Sequence, residues 1–553
     1  MDKILRSYSR RQFFRGGVTG IVGSAFAASG RARQALAQSA AVQAPPPLIT
    51  APKVLRSPPI DELQRIARAF WMNLSPEDLA SFRNMMEGAL ASYRRLDQFA
   101  EPTLEVKYPR DAGYRPTAVQ NPLNAWYWKC SIKGAAEGKL TGKKIAIKDN
   151  ACVAGIHMMI GSSVMEGFVP DVDATVVTRI LDAGGEIVGK AVCDHMCLWG
   201  GTDSGFVLNP HDPKRSAGAS SSGSAALVVA GECDMAIGGD TGGSIRIPSS
   251  YSGACGIKPT YGLVPYTAMF PLELTLDHVG PMARSAAGCA LLLEAIAGPD
   301  GLDPRQPADI RTQAYTRYLV GDARNLRIGI VREGFGWPGV SEPDVDMMVR
   351  DAAHGLTRTG ATVREISIPL HREGIHIYAP ILVEGSTMLW MDGNGVGTGW
   401  KGYYTTSLMD FFARSRQVRA NDFSDMVKLQ VLLGQYMHDN YQGHYYAKAQ
   451  NLARVLRAAY EEAFKEVDLL VMPTTPTKAF LNPLPNASRE EYVARAAASG
   501  MTVNTCPFNV TGHPAMSVPS GMSGGLPVGM MLIGRHWEDG TVLRVADAFE
   551  RLK

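Results

Sequence analysis

The chain is short of the residue patterns that mark several large classes of protein. Its eight cysteines are spread over 553 residues with no Cys-x-x-Cys pair. That excludes a disulfide framework and points to cysteines used as small buried hydrophobes. Cys193 and Cys197 flank His195, but the spacing is irregular and no second ligand pair follows. No metal site is therefore expected. Charge of one sign is also lacking: 56 Lys and Arg stand against 53 Asp and Glu, a net +3. No long basic run appears beyond the N-terminus, so nucleic acid is not an expected partner. The apolar run Gly16 to Ala28 is too short and glycine-rich for the roughly 18–20 residues of a membrane anchor. No period of about 20–50 residues repeats, which excludes a solenoid.

Glycine, by contrast, is abundant at 57 residues and is concentrated where it matters. Gly218 to Ser249 reads GASSSGSAALVVAGECDMAIGGDTGGSIRIPS, two Ser/Gly-rich turns joined by an apolar segment. Such turns let backbone N–H groups converge on one point and stabilise an anion. No Gly-Lys-Ser or Gly-Lys-Thr follows the glycines, so a phosphate loop is excluded. A flexible linker would not carry so apolar a bridge, nor Ile245-Arg246-Ile247-Pro248 after the second turn. A serine hydroxyl placed in such a nest could form an acyl-transfer oxyanion held by the turn.

Serine needs a base. Lys148 ends the strand-like run Lys143-Lys144-Ile145-Ala146-Ile147-Lys148. Burial there favours a neutral amine, and a neutral lysine can accept a proton from serine. Asp240 and Arg246 flank the second turn, where a carboxylate–guanidinium pair can hold the loop's shape.

These pieces resemble the amidase signature family. The resemblance rests on Ile147-Lys148-Asp149-Asn150, the first serine turn, and Asp240-x-Gly-Gly-Ser-Ile-Arg-x-Pro. Ser220 precedes Ser244 by 24 residues, which is the family spacing. Gly256-Ile257-Lys258-Pro259-Thr260 and Val279-Gly280-Pro281-Met282 also fit. The resemblance implies Ser244 as nucleophile, Ser220 as a bridging serine on a cis peptide, and Lys148 as base. It implies an oxyanion hole from the N–H groups of Thr241, Gly242, Gly243 and Ser244, with Asp240, Arg246 and Ser221 in support. It places Met196 and Trp199, which precede the first serine turn, as pocket lining. His195 and His278 are expected to be structural. No metal or organic cofactor is implied.

The wider resemblance is to bacterial broad-specificity, enantioselective amidases of the nitrile-hydratase-associated type. Phe508-Asn509-Val510-Thr511-Gly512-His513-Pro514 and Met472-Pro473-Thr474-Thr475-Pro476 carry it. Thr241 stands where that branch commonly has Gln, and the first turn reads Gly-Ala-Ser rather than Gly-Gly-Ser. The implied reaction is hydrolysis of aliphatic or aromatic carboxamides to acid plus ammonia or amine. Aryl-acylamidase, carbamate hydrolase or esterase action on the same site stays open. The more distant readings are an inactive amide-binding protein and a glutamine-dependent amidotransferase A-type subunit.

In chain order, residues 1–37 read as a twin-arginine export signal. Ser9-Arg10-Arg11-Gln12-Phe13-Phe14 precedes the apolar run, and Ala35-Leu36-Ala37 offers a cleavage site. The chain is thus expected to use the twin-arginine translocase and reach the periplasm, or to stay cytoplasmic if the signal is unused. Residues 38–59 form a Pro-rich linker. Residues 60–115 read as a small N-terminal helical region, with Ser75-Pro76-Glu77-Asp78 as a helix start. The resemblance implies that this region supports a homodimer. Residues 116–553 alternate strand and helix patterns, an α/β class. The resemblance implies a mixed β-sheet core sandwiched between helices. Candidate strands are Ile145–Lys148, Glu186–Val188, Met235–Gly238, Leu326–Val331, Thr362–Ile368, Leu469–Met472, Ala515–Val518 and Val528–Ile533. Residues 374–460 read as a helix-rich, aromatic insertion that covers the substrate mouth.

Overall fold

A computed structural model describes residues 55–484 and 487–552. The expected export signal and most of the expected linker lie outside the described residues.

Eleven strands form one mixed sheet: β1 Trp126–Lys133, β2 Lys144–Lys148, β3 Glu186–Ala191, β4 Met235–Asp240, β5 Cys255–Lys258, β6 His278–Ala283, β7 Arg327–Val331, β8 Thr362–Ile366, β9 Leu469–Pro473, β10 Ala515–Ser523 and β11 Leu526–Gly534. Their spatial order is β1-β3-β2-β4-β6-β5-β10-β11-β9-β7-β8. β2 runs parallel to β3 and β4, and β7 runs parallel to β8 and β9. The remaining pairs are antiparallel. Hairpin β10–β11 turns at Gly524-Gly525, both at positive φ (58° and 78°). That is the two-residue geometry that matches strand twist, and glycine adopts it without a Cβ penalty.

The helices are α1 Ile60–Ala69, α2 Pro76–Leu96, α3 Thr175–Asp182, α4 Ser222–Val229, α5 Arg246–Ser252, α6 Ala286–Ile296, α7 Pro343–Gly355, α8 Gly374–Thr387, α9 Thr406–Arg419, α10 Asp425–Tyr441, α11 His444–Glu466, α12 Arg489–Ser499, α13 Pro507–Thr511 and α14 Asp539–Glu550. α2 begins as its sequence dictates. The Ser75 hydroxyl accepts from the Asp78 N–H, Asp78 reaches back to the Ser75 N–H, and Pro76 occupies the first turn.

Side-chain alternation explains why helices cover both faces of the sheet. Ile145, Ile147, Ile187 and Ile237 join a core shared with Val176, Val177 and Ile180 of α3 and Leu292, Leu293 and Ile296 of α6. Their neighbours Ala146, Ala191 and Ala236 face the other way, against Ala226, Leu227 and Val228 of α4. Branched side chains fill one side, and alanines let α4 approach closely on the other. No helix among the described residues is long and apolar enough to cross a membrane.

All eight candidate strands appear. The sequence reading missed β1, β5 and β6. α8 to α11 fill the insertion between β8 and β9.

Candidate active site

β2 and β4 are parallel neighbours, with Ile147 opposite Ile237, so they end on the same side of the sheet. Lys148 is the last residue of β2, and Asp240 closes β4 and opens the second Ser/Gly turn. Lys148 is 1% exposed. Its Nζ donates to Ser220 Oγ at 2.8 Å and to the Gly239 carbonyl at 3.2 Å. The Ala219–Ser220 peptide bond is cis.

Ser221 ties the two turns together. Its N–H donates to the Ser244 carbonyl at 3.2 Å. Its hydroxyl donates to the Gly239 carbonyl at 3.0 Å and accepts from the Gly239 N–H at 3.1 Å. α5 packs directly behind the first turn: a Cβ on Gly218, at φ +89°, would lie 2.4 Å from Pro248 Cα. Only glycine fits there.

The second turn is held by Asp240 and Arg246, both with 0% exposed side chains. Asp240 Oδ1 accepts from the Gly243 N–H and Arg246 Nη2, and Oδ2 accepts from the Ile245 N–H and Arg246 Nε. Burial alone would favour the neutral acid. The paired guanidinium, with the Asn509 amide, outweighs it and holds this carboxyl far below the ordinary range. Arg246 directs its remaining donors to the Thr505 carbonyl at 2.9 Å, Asn509 Oδ1 at 2.7 Å and Met531 Sδ at 3.4 Å. Thr505 closes the clamp by donating its hydroxyl to the Gly242 carbonyl at 2.6 Å.

Ser244 is the half-buried residue in this otherwise buried turn. Among the described residues its Oγ takes no hydrogen-bond partner, so the Ser220–Ser244 link is not closed in this state. Of the four expected oxyanion donors, Gly243 has its N–H committed to Asp240 Oδ1 at 2.8 Å. That group shapes the loop. The N–H groups of Thr241, Gly242 and Ser244 donate to no other group among the described residues.

The other expected residues divide. Met196 has no exposed surface and belongs to the main core. Its stretch forms a tight turn, with Met196 and Cys197 at positive φ, that directs the side chain inward. It is not pocket lining. Trp199 packs with Ala219, Ile247 and Tyr251, next to both turns. His195 and His278 make no hydrogen bond to the Lys148, Ser220 or Ser244 side chains. Nδ1 of His278 is taken by the Leu276 carbonyl at 2.7 Å.

Three further side chains escaped the sequence reading. Tyr378 on α8 lies over the turn: a Cβ on Gly242 would sit 2.3 Å from its hydroxyl oxygen. Asp277 accepts the Thr241 hydroxyl at 2.5 Å. Burial raises its carboxyl to about 6, against the lowering effects of Thr241 and Arg305. Glu273, likewise buried, is raised to about 7. These acids bring a titratable rim close to the turn.

The sequence profile of the amidase family matches residues 122–543. An enantioselective amidase of Rhodococcus rhodochrous is 43% identical over 504 residues, spanning 90% of this chain and 96% of that relative. The solved A-type subunit of glutamyl-tRNA(Gln) amidotransferase from Thermotoga maritima superposes with a TM-score of 0.64 at 29% identity. The match covers 78% of this chain and 88% of that one. A peptide amidase of Stenotrophomonas maltophilia gives 0.60 at 28% identity, over 75% and 83% of the two chains.

Proposed function

The chain belongs to the amidase signature family and is a hydrolase acting on amides; from that premise we propose that it cleaves small carboxamides to acid plus ammonia or amine through an acyl-enzyme on Ser244. The observation that carries the mechanism is the buried Lys148 Nζ to Ser220 Oγ contact at 2.8 Å, beneath a more exposed Ser244. Lys148 takes the proton of Ser220 as Ser220 takes that of Ser244. Ser244 Oγ bonds to the amide carbonyl carbon. The carbonyl electron pair moves to oxygen, where the N–H groups of Thr241, Gly242 and Ser244 receive it. On collapse the C–N bond breaks, and Ser220 passes its proton to the leaving nitrogen while Lys148 returns one to Ser220. Water then repeats the sequence on the ester. The open Ser220–Ser244 link fits this scheme, because catalytic hydrogen bonds often tighten only with substrate bound.

Ammonia and amine release from primary amides, anilides and aryl carbamates tests the reading. Ser244→Ala should lower turnover by about 10⁶-fold, as removing a nucleophile does elsewhere, without moving the unfolding midpoint. A variant that keeps substantial activity would overturn the assignment of Ser244. Preferential aniline release would make the enzyme an aryl-acylamidase on the same residues.

We also propose export through the twin-arginine route, supported by Arg10-Arg11, the apolar run and Ala35-Leu36-Ala37. Activity in the periplasmic fraction that moves to the cytoplasm in an Arg10→Lys, Arg11→Lys variant tests it. A homodimer through α1 and α2 is proposed on their exposed apolar side chains, with Trp71 93% exposed. Light scattering of the purified chain should give twice the monomer mass.

A further inference from the structure

Outside the catalytic turns, three side chains from distant parts of the sequence converge. Glu461 lies on α11, His513 follows α13, and His536 follows β11. One ligand atom from each lies within 4.8 Å of the others. Glu461 Oε1 is 3.4 Å from His513 Nε2 and 2.9 Å from His536 Nδ1.

The partners of the opposite ring nitrogens fix both tautomers. The Thr511 hydroxyl donates to the Pro507 carbonyl, so it accepts from His513 Nδ1–H at 2.9 Å. His536 Nε2–H donates to the Thr511 carbonyl at 2.8 Å. His513 Nε2 and His536 Nδ1 both face one carboxylate oxygen, and Nδ1 of His536 is within hydrogen-bond distance of it. Arg457 agrees, since its Nη2 lies 3.5 Å from His536 Nδ1 and can only donate. His513 has no exposed surface, and its Nε2 has no hydrogen-bond partner.

Three side chains of metal-ligating type thus converge, each imidazole oriented through its other nitrogen on Thr511. That is how proteins present histidine to a metal. Tetrahedral bonds of about 2.0–2.1 Å separate ligand atoms by about 3.3 Å, close to the 3.4 Å and 2.9 Å between Glu461 Oε1 and the two ring nitrogens. Two imidazoles and a carboxylate suit Zn²⁺ and its first-row neighbours. We propose that Glu461, His513 and His536 bind one divalent transition cation, which ties α11 of the insertion to the loops that follow α13 and β11. The competing cation is Arg457, whose Nε is 3.6 Å from Glu461 Oε1 on a half-exposed side chain free to swing into solvent.

Zinc chloride titrated calorimetrically into the metal-stripped full chain tests this. One equivalent should bind and raise the unfolding temperature. His536→Ala and Glu461→Gln, both at partly exposed positions, should raise Kd by more than about 100-fold and abolish the thermal shift. That loss should exceed the 10–100-fold typical of a supporting residue, which is the effect expected of Thr511→Val. Arg457→Ala should tighten binding. Cobalt(II) should give visible d–d bands without a thiolate charge-transfer band. The proposal fails if no equivalent binds, if both variants bind as the parent does, or if the cobalt spectrum reports cysteine ligation.

Discussion

The second Ser/Gly turn and the N-terminal helical hairpin organise their side chains in opposite ways. Around the turn, Asp240 and Arg246 are wholly buried, and their donors and acceptors meet Gly243, Ile245, Thr505 and Asn509. In the hairpin, the buried cluster is only Leu63, Ala67 and Leu79, while Phe70, Trp71, Met85, Tyr93 and Leu96 are exposed. The turn is rigid because polar groups buried together must satisfy one another. The hairpin leaves most of its large apolar side chains exposed, the surface on which a homodimer is proposed. The proposed chemistry sits where the interior determines every atom, and the proposed association where the interior is incomplete.

Breaking the turn should cost the most. Arg246→Ala leaves Asp240 buried without its cation, a loss of about 3–5 kcal/mol in denaturant unfolding, with turnover falling as the loop relaxes. A variant destabilised by less than about 1 kcal/mol would mean that the pair is not what holds the turn.

A smaller effect is expected at His371, where the interior network continues. Its Nδ1 accepts from the Tyr460 hydroxyl and Nε2 donates to Asn504 Oδ1. Burial holds this ring down to about 4, only partly offset by Asn504. The sign follows from linkage. Between about pH 6.5 and 4 the unfolded chain takes up a proton that the folded chain refuses, so stability falls as pH falls. This group contributes a slope approaching 1.4 kcal/mol per pH unit. His371→Gln should remove that share of the slope, leaving stability at pH 8 less affected than its pH dependence. An unchanged slope across pH 4–6.5 would reject it.

The smallest effect on folding is expected at the hairpin. Trp71→Ser should change unfolding free energy by no more than about 0.5 kcal/mol yet convert the proposed dimer to monomer in light scattering. A large destabilisation of an already monomeric protein would show that Trp71 packs within its own chain.

Much of this was legible in the sequence, for identifiable reasons. β2, β3 and β4 show as apolar runs because helices cover both faces. α2 announces itself through Ser75 and Pro76. β6 was hidden because it contains Gly280-Pro281, a pair that reads as a strand breaker, yet Pro281 stands opposite Ile237 inside the sheet. β5 has only four residues. Lys148, Ser220 and Ser244 stand out in the sequence because their motif is local to each turn. Thr505, Asn509, Asp277 and Tyr378 were not, since their roles arise from contacts between distant segments. Asn509 lay within a segment that carried the family resemblance, which was the one available signal. Glu461, His513 and His536 had none: their spacing matches no metal motif.

The clamp on Arg246 also bears on how the chain is made. β1 to β6 come from the first half of the sheet and β7 to β11 from the second, and the halves meet where β5 pairs with β10, Gly256 against Ser517. Thr505 and Asn509 reach back across that seam to a turn synthesised some 260 residues earlier. Closing so long a loop is slow and comes late. A ribosome-bound chain that stops short of Thr505 carries Ser244, Ser220 and Lys148 but lacks the groups that shape the turn around them. The clamp on the second turn is therefore completed only once Thr505 and Asn509 have been made.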